Sequence, residues 1–225
     1  MRTISSIADL EEGIQQLAAR EARFAMVARE ELPPLRLKVP GFATLAQILI
    51  EQMISLKAAA AISARLLAEL GSFEAQGLVH AGVSQLKALG LSQAKAEALK
   101  TLAQAIVEGR FDLEALESMG DDEASATLMR LKGIGPWTAN IYLLTALGRP
   151  DAWPSGDVAL QAAVASLFEL EQRPDRKRMG EIAEAWRPWR SVAARLLWMH
   201  YGNVKTRGAV QTNSLAPFTA SLHKI

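Results

Sequence analysis

Two features of this chain have residue types and spacing that suit chemistry. One is a carboxylate, Asp157, directly behind Trp153-Pro154-Ser155-Gly156 and at the start of a predicted helix. The other is the loop Gly133-Ile134-Gly135, which runs into Pro136-Trp137-Thr138-Ala139. Paired glycines let backbone N–H groups face an anion with no Cβ in the way. Pro136 suits the first turn of a helix, where its missing N–H is not needed. The helix start adds unpaired donors and the positive end of a dipole, which together make a seat for a phosphate. Lys132 and Thr138 flank the loop and are placed to add side-chain contacts to a phosphate oxygen. The carboxylate is the candidate for chemistry beside that seat. Each feature also has an ordinary explanation: Asp is a favoured N-cap, and a glycine closes many helices.

Helices must position both features, and helices are what the chain offers. No stretch sustains period-two alternation, and Ala and Leu dominate, so the fold is predicted to be all-α, with about ten helices and short joints. Residues 3–30 read as one amphipathic helix with Ile7, Leu10, Ile14 and Leu17 on one stripe, broken by Pro33-Pro34. Pro40-Gly41 introduces a helix from Phe42 through Gln52, and residues 58–70 form another that Gly71 ends. A short helix at 84–89 stops at Gly90, and Ser92 caps the next, through Gly109. Asp112 and Asp121 read as N-caps of two short helices. Helices over 136–147, 157–170, 179–186 and 189–201 complete the set, and the tail at 206–225 lacks periodicity. The expectation is one unit over residues 1–225, made of two helical lobes with a cleft, with the glycine loop and the carboxylate within 129–157.

Composition excludes several classes. The chain has no cysteine, which removes disulfides, cysteine-ligated clusters, thiolate zinc sites and cysteine nucleophiles. His80, His200 and His223 are far apart and give no metal-binding spacing. No apolar run reaches membrane length, and acids stand where a signal peptide needs an apolar stretch, so a cytoplasmic location (nuclear in a eukaryote) is expected. Net charge is +1 but unevenly spread: residues 129–208 carry 12 Lys/Arg against 7 Asp/Glu, the rest 13 against 17. The basic part contains the glycine loop, and an electrostatic footprint need cover only one face.

The stretch Leu131–Ala139 resembles the helix-hairpin-helix of the HhH-GPD superfamily of DNA base-excision glycosylases. Trp153-Pro154-Ser155-Gly156-Asp157 is similar to the family's Gly/Pro-rich loop and its Asp. Residues 42–55 resemble the family's upstream helix and Gln-x-x-Ser turn. Trp186-Arg187-Pro188-Trp189-Arg190-Ser191 through Trp198 resembles the closing segment of the 3-methyladenine DNA glycosylase II branch. Four elements in the family's order make the resemblance specific over roughly residues 40–202.

The resemblance implies a function and a set of roles. Members with lyase activity carry a lysine two residues after the second hairpin glycine. Trp137 stands there, which implies a monofunctional enzyme that forms no Schiff base. The branch's longer bacterial members add an N-terminal β-rich domain, and this chain reads as a compact version without it. Asp157 would stabilise the oxocarbenium-like sugar formed when an N-glycosidic bond breaks, or orient the attacking water. Trp198, Trp137, Tyr142 and, less directly, Trp153 would line an aromatic pocket for a flipped, positively charged alkylated purine. Ile141 stands where the branch often has a pocket tyrosine. Gln52, Met53 and Ser55 would enter the duplex, with Met53 either the wedge in the vacated gap or core filler. Gly133, Gly135, Lys132 and Thr138 would grip DNA, and the carbonyls of Met129, Leu131 and Ile134 would hold a structural Na+ or K+. No cofactor is required. The expected partner is double-stranded DNA containing alkylated bases such as 3-methyladenine or 7-methylguanine, bound by a monomer. The rival readings are the same fold acting on deaminated or oxidised bases, and a non-catalytic DNA-binding protein.

Overall fold

The structure, a computed structural model, describes residues 2–214. Ser6 caps α1 (Ile7–Arg20) in a reciprocal capping box with Asp9. α2 (Ala22–Glu30) follows after the single extended residue Glu21. An irregular stretch leads to α3 (Phe42–Glu51). α4 (Leu56–Leu70) is capped by Ser55 and ended by Gly71. α5 (Ala75–His80) and α6 (Val83–Ala88) are short, and α7 (Gln93–Val107) starts at its cap Ser92. A 3-10 turn, Glu114–Glu117, precedes α8 (Asp121–Leu128). α9 (Pro136–Thr145) has Pro136 in its first turn, and α10 (Val158–Leu167) is capped by Asp157. α11 (Arg176–Ala183) runs into a second 3-10 turn, Glu184–Trp186, before α12 (Arg190–Ser214). No strand occurs among the described residues, so the all-α expectation holds.

The helices pack as two groups. α1, α2 and α10 lie against α12, and Trp186 brings the α11 end into this group through edge-on contact with Phe24 of α2 at 5.2 Å. In the other group α3 is central, touching α4, α7 and α9, while α5 and α6 pack on α7 and α8 on α9. The two ends of the chain thus build one lobe and its middle builds the other. Buried apolar side chains run through both, from Leu10 and Phe24 to Leu49, Leu99, Leu144 and Leu197.

Several expectations change. The helix expected over 3–30 is two, because Glu21 is extended (φ −141°, ψ 104°) and its own carboxylate caps α2. The bend folds α2 back on α1, so Phe24 and Val27 are buried like Leu10 and Leu17. α5 is an additional helix, which buries Ala75 and Leu78. Asp121 is not a cap but the first residue of α8, behind Gly120, and its carboxylate turns towards Arg149 at 3.6 Å. Asp112 is not at the cap position either, which is Leu113, but one residue before it its carboxylate accepts from the Glu114 and Ala115 N–H groups of a 3-10 turn. The tail is helical as far as Ser214, since an established helix propagates one hydrogen bond per residue. The remainder of the expected tail, 215–225, lies outside the described residues.

Candidate active site

Asp157 sits where the two lobes meet. As cap of α10 its Oδ1 accepts from the Leu160 N–H at 2.9 Å. Oδ2 accepts from the indole Nε1 of Trp137, at the start of α9, at 2.9 Å. The indole Nε1 of Trp198, on α12, reaches Oδ1 at 3.4 Å. Capping and a chemical role therefore coexist in one carboxylate. The three donors leave lone-pair capacity on a carboxylate, which offers about four acceptor sites. Trp137 and Trp198, separated by sixty-odd residues of sequence, converge on the acid that the sequence singled out. Both rings are partly buried against the core. Such a site presents a held negative charge beside two aromatic rings, which suits a cation or a developing positive charge.

The loop carrying Asp157 is tied to α9. The Asn140 side chain accepts from the Trp153 N–H at 3.0 Å and donates to the Pro136 carbonyl at 2.8 Å. The Asp157 N–H closes a turn onto the Pro154 carbonyl at 2.9 Å. Asn140 is thus a positioning residue that the sequence reading missed. Its only signal is its place on the exposed side of the helix behind the glycine loop.

The hairpin is built as its glycines suggested. Gly133 has φ 83°, and an added Cβ would lie 2.6 Å from the Cβ of Ala98 on α7. A side chain there would meet both backbone strain and a clash. Gly135 flanks α9 with no side-chain cap, and nothing lies within 4 Å of where its Cβ would be. The space beside Gly135 at the start of α9 is open. Lys132 is exposed and pairs with Glu97 at 2.8 Å, a surface contact that holds it only weakly. Thr138 is turned inward, 1% exposed, and its hydroxyl accepts from Gln52. It serves the hairpin's interior and does not face outward to a phosphate.

Gln52 joins the turn after α3 to this hairpin. Its Nε2 donates to the Gly133 carbonyl at 3.0 Å and to Thr138 Oγ1 at 2.7 Å. Lys95 donates to the carbonyls of Ile50 (2.8 Å) and Gln52 (2.5 Å), finishing the C-terminus of α3. Burial pulls the Lys95 ammonium below its usual range. Between these anchors Met53 projects with φ 57° and 96% exposure. It is not core filler. A strained, exposed, apolar residue held from both sides is the form a wedge would take. Ser55 is used as the cap of α4, accepting from Ala58 at 3.2 Å. Lys95 was missed because nothing local in sequence marks a lysine that reaches across to another helix.

Tyr142 is not at the site. It is fully buried, and its hydroxyl accepts from the Gly41 N–H at 2.9 Å, so it supports the entry to α3. Burial pushes its phenol above the usual range. Trp153 is core as well, donating to the Met179 carbonyl at 3.2 Å and packing edge-on to Trp186. Ile141 is buried beside them in sequence. Two surface hollows, of about 350 and 390 Å³, lie away from Asp157, around Ile4 and Arg149 and around Ala43 and Phe73.

Residues 46–188 match the model of the HhH-GPD superfamily of base excision DNA repair proteins. A putative DNA-3-methyladenine glycosylase of Bacillus subtilis, YfjP, is 35% identical over 113 residues, which is 50% of this chain and 39% of that protein. DNA-3-methyladenine glycosylase 2 of Escherichia coli is 30% identical over 184 residues, 76% of this chain and 62% of that protein. The Schizosaccharomyces pombe 3-methyladenine DNA glycosylase Mag1, solved in complex with abasic DNA, superimposes with TM-score 0.77 at 24% identity, over 93% of this chain and 100% of that one. At that identity the superposition shows the fold. The chain belongs to the HhH-GPD superfamily of base excision DNA repair proteins. The chain spans less than two thirds of the length of these curated bacterial relatives, 39% of one and 62% of the other.

Proposed function

We propose that the chain is a monofunctional DNA glycosylase of the DNA-3-methyladenine glycosylase II type, hydrolysing the N-glycosidic bond of alkylated bases in double-stranded DNA. The observation that carries this reading is the carboxylate of Asp157 held by the indoles of Trp137 and Trp198. Relatives named as DNA-3-methyladenine glycosylases support it. An alkylated purine is a good leaving group because it already carries positive charge. The enzyme's task is then to hold the flipped base against an aromatic face and to stabilise the sugar cation. Asp157 is positioned for the second task and, on its free lone pairs, for orienting water. Trp198 and Trp137 are positioned for the first.

DNA would be gripped by the hairpin backbone at Gly133 and Gly135, aided by Lys132, while Met53 fills the gap left by the base. Trp137 offers no amine at the position where lyase members carry lysine, so hydrolysis without strand cleavage follows. A Na+ or K+ on the carbonyls of Met129, Leu131 and Ile134 fits what the hairpin offers. Among the described residues no N–H donates to the Met129 or Ile134 carbonyl, and Leu131 accepts one bond, from Ile134. Those three oxygens would hold the ion, which would supply positive charge towards a DNA phosphate. No other cofactor is required. A monomer acting in the cytoplasm, or a nucleus, is part of the same reading, and no helix of the described chain is long and apolar enough to cross a membrane.

The test is release of free base from methylated duplex DNA, followed by chromatography of the supernatant. 3-Methyladenine or 7-methylguanine in the supernatant is the expected result. No release of any base, with abasic DNA still bound, would make this a non-catalytic DNA-binding protein. Release of only deaminated or oxidised bases would move the substrate within the same fold.

A further inference from the structure

Arg36 takes no part in the site described above. It lies exposed in the irregular stretch before α3, with its guanidinium carbon 6.0 Å from the centre of the Trp198 ring. That is within reach of a cation–π contact. The placement is imposed by the fold. Arg36 has φ 52°, a left-handed conformation that a non-glycine residue adopts only when its surroundings hold it there. The holding groups are visible on both sides. The Arg195 side chain, 1% exposed, donates from Nε to the Leu35 carbonyl at 2.9 Å and from Nη2 to the Leu144 carbonyl at 3.1 Å. The Lys38 N–H donates to the Thr145 carbonyl at 2.8 Å. Arg195 is one turn before Trp198 on α12, so the helix that carries the ring also fixes the backbone beside Arg36.

The electrostatics run against this arrangement being mere scaffolding. Burial, with the Arg36 charge as a second cause, pulls the Arg195 guanidinium down to about 10. Two positive groups are therefore kept close to each other. Among the described residues no carboxylate pairs with Arg36. The Trp198 indole thus stands between the Asp157 carboxylate, which its N–H addresses, and an unpaired guanidinium near its face.

We propose that Arg36 is a specificity-determining residue: its guanidinium occupies the Trp198 face in the free protein, an incoming base displaces it, and its charge penalises cationic bases relative to neutral ones. This rests on the reading of Trp198 as the face on which a base stacks. Asp157 attracts positive charge into the site, and Arg36 grades that attraction by the charge of the base.

The test separates this proposal from the enzymatic reading because it needs no turnover. Two probes are titrated into the intact chain and its Arg36→Gln and Arg36→Ala variants, following tryptophan fluorescence. One is 3,9-dimethyladeninium, a permanently cationic model of a 3-methyladenine nucleoside; the other is neutral 9-methyladenine. Trp198→Phe identifies the signal from that ring. Both Arg36 variants are expected to bind the cation roughly tenfold tighter, because the displaced guanidinium stays tethered beside the ring and repels a like charge there. The neutral probe should shift by no more than about two- to threefold, reflecting only the vacated face. An equal shift for both probes, or no shift, overturns the proposal. So does an unchanged probe ratio accompanied by a salt dependence of duplex-DNA binding reduced by about one phosphate contact, which would assign Arg36 to the backbone. If neither probe binds the wild-type chain, the ring is not a base seat and the proposal fails with it. If the probes behave as expected but methylated DNA releases no base, only the glycosylase reading fails.

Discussion

The Trp137 indole donates to the Asp157 carboxylate at 2.9 Å, joining the start of α9 in one lobe to the cap of α10 in the other. Trp137, which stands where the resemblance puts the lysine of lyase members, thus also holds the carboxylate of the candidate acid.

Asp157→Asn separates that chemistry from stability. Asn is as good an N-cap as Asp, so the melting temperature should stay close to that of the wild type. Base release should fall by about 10²-fold or more, the scale of losing one pre-organised electrostatic group. Single-turnover release with calorimetry alongside checks both. Full activity in the variant would remove Asp157 from the reaction. Asp157→Ala should lose activity equally but also about 1 kcal/mol of stability, the worth of the cap.

Trp137→Phe keeps an aromatic ring and removes the N–H. A hydrogen bond to a charged group is worth about 1.5–3 kcal/mol, so activity should drop roughly tenfold or more through a misplaced Asp157. The effect should appear mainly in the rate of the bound complex. In the same material, borohydride treatment of wild-type protein with abasic DNA should give no covalent adduct. A trapped adduct would show that another amine supplies lyase chemistry.

Met53→Ala and Gln52→Ala should differ in kind. Met53 is exposed, so its truncation should leave the melting temperature unchanged, while affinity for abasic duplex DNA drops about tenfold. Buried methionines cut to alanine cost about 2–5 kcal/mol, so an unaltered melting curve is informative in itself. Gln52→Ala removes two hydrogen bonds into the hairpin and should lower both stability, by about 1–2 kcal/mol, and DNA affinity. Filter binding on abasic duplex and thermal melts distinguish the two.

Arg149→Met tests the frame beneath the site. Arg149 is 1% exposed and donates to the carbonyls of Leu116, Glu117 and Met119 at 2.9–3.0 Å, closing the 3-10 turn ahead of α8. Asp121 beside it has its carboxyl pushed above the usual range, first by burial, with the Arg149 charge opposing. Its folded pKa is raised, so the fold favours the protonated acid, and Asp121 costs stability as pH rises through that value. Removing Arg149 takes away both the carbonyl partners and the compensating charge. Stability should fall by about 3 kcal/mol at neutral pH, and by less in acid, where Asp121 is protonated. Denaturant titrations at two pH values read this directly, and an equal loss at both would sever Asp121 from the effect.

How much of this was legible beforehand divides along a physical line. The helices at Phe42, Ser92, Pro136 and Asp157 were readable because their starts are local: a cap, a proline or a glycine pair acts on neighbours a few residues away. Asp157 and the hairpin glycines stood out from short local patterns, while Trp137 and Trp198 were singled out by the family resemblance. The bend at Glu21, by contrast, is decided by what α2 buries when it folds back, and no local residue announces it. Tyr142 shows the limit more sharply. Its type suits a base pocket, yet the tertiary fold turns it inward to hold Gly41, because α9 packs against α3 and Tyr142 meets the start of that helix. Lys95, Asn140 and Arg36 act through contacts to backbone or rings far away in sequence, which side-chain identity does not encode. The sequence by itself thus determined the helical class, the candidate acid, and a tryptophan where lyase members of the family carry lysine. Only the tertiary structure decided that two tryptophans share that acid, that Met53 stands in the open, and that a guanidinium lies 6.0 Å from the Trp198 ring, because each depends on which parts of the chain come together.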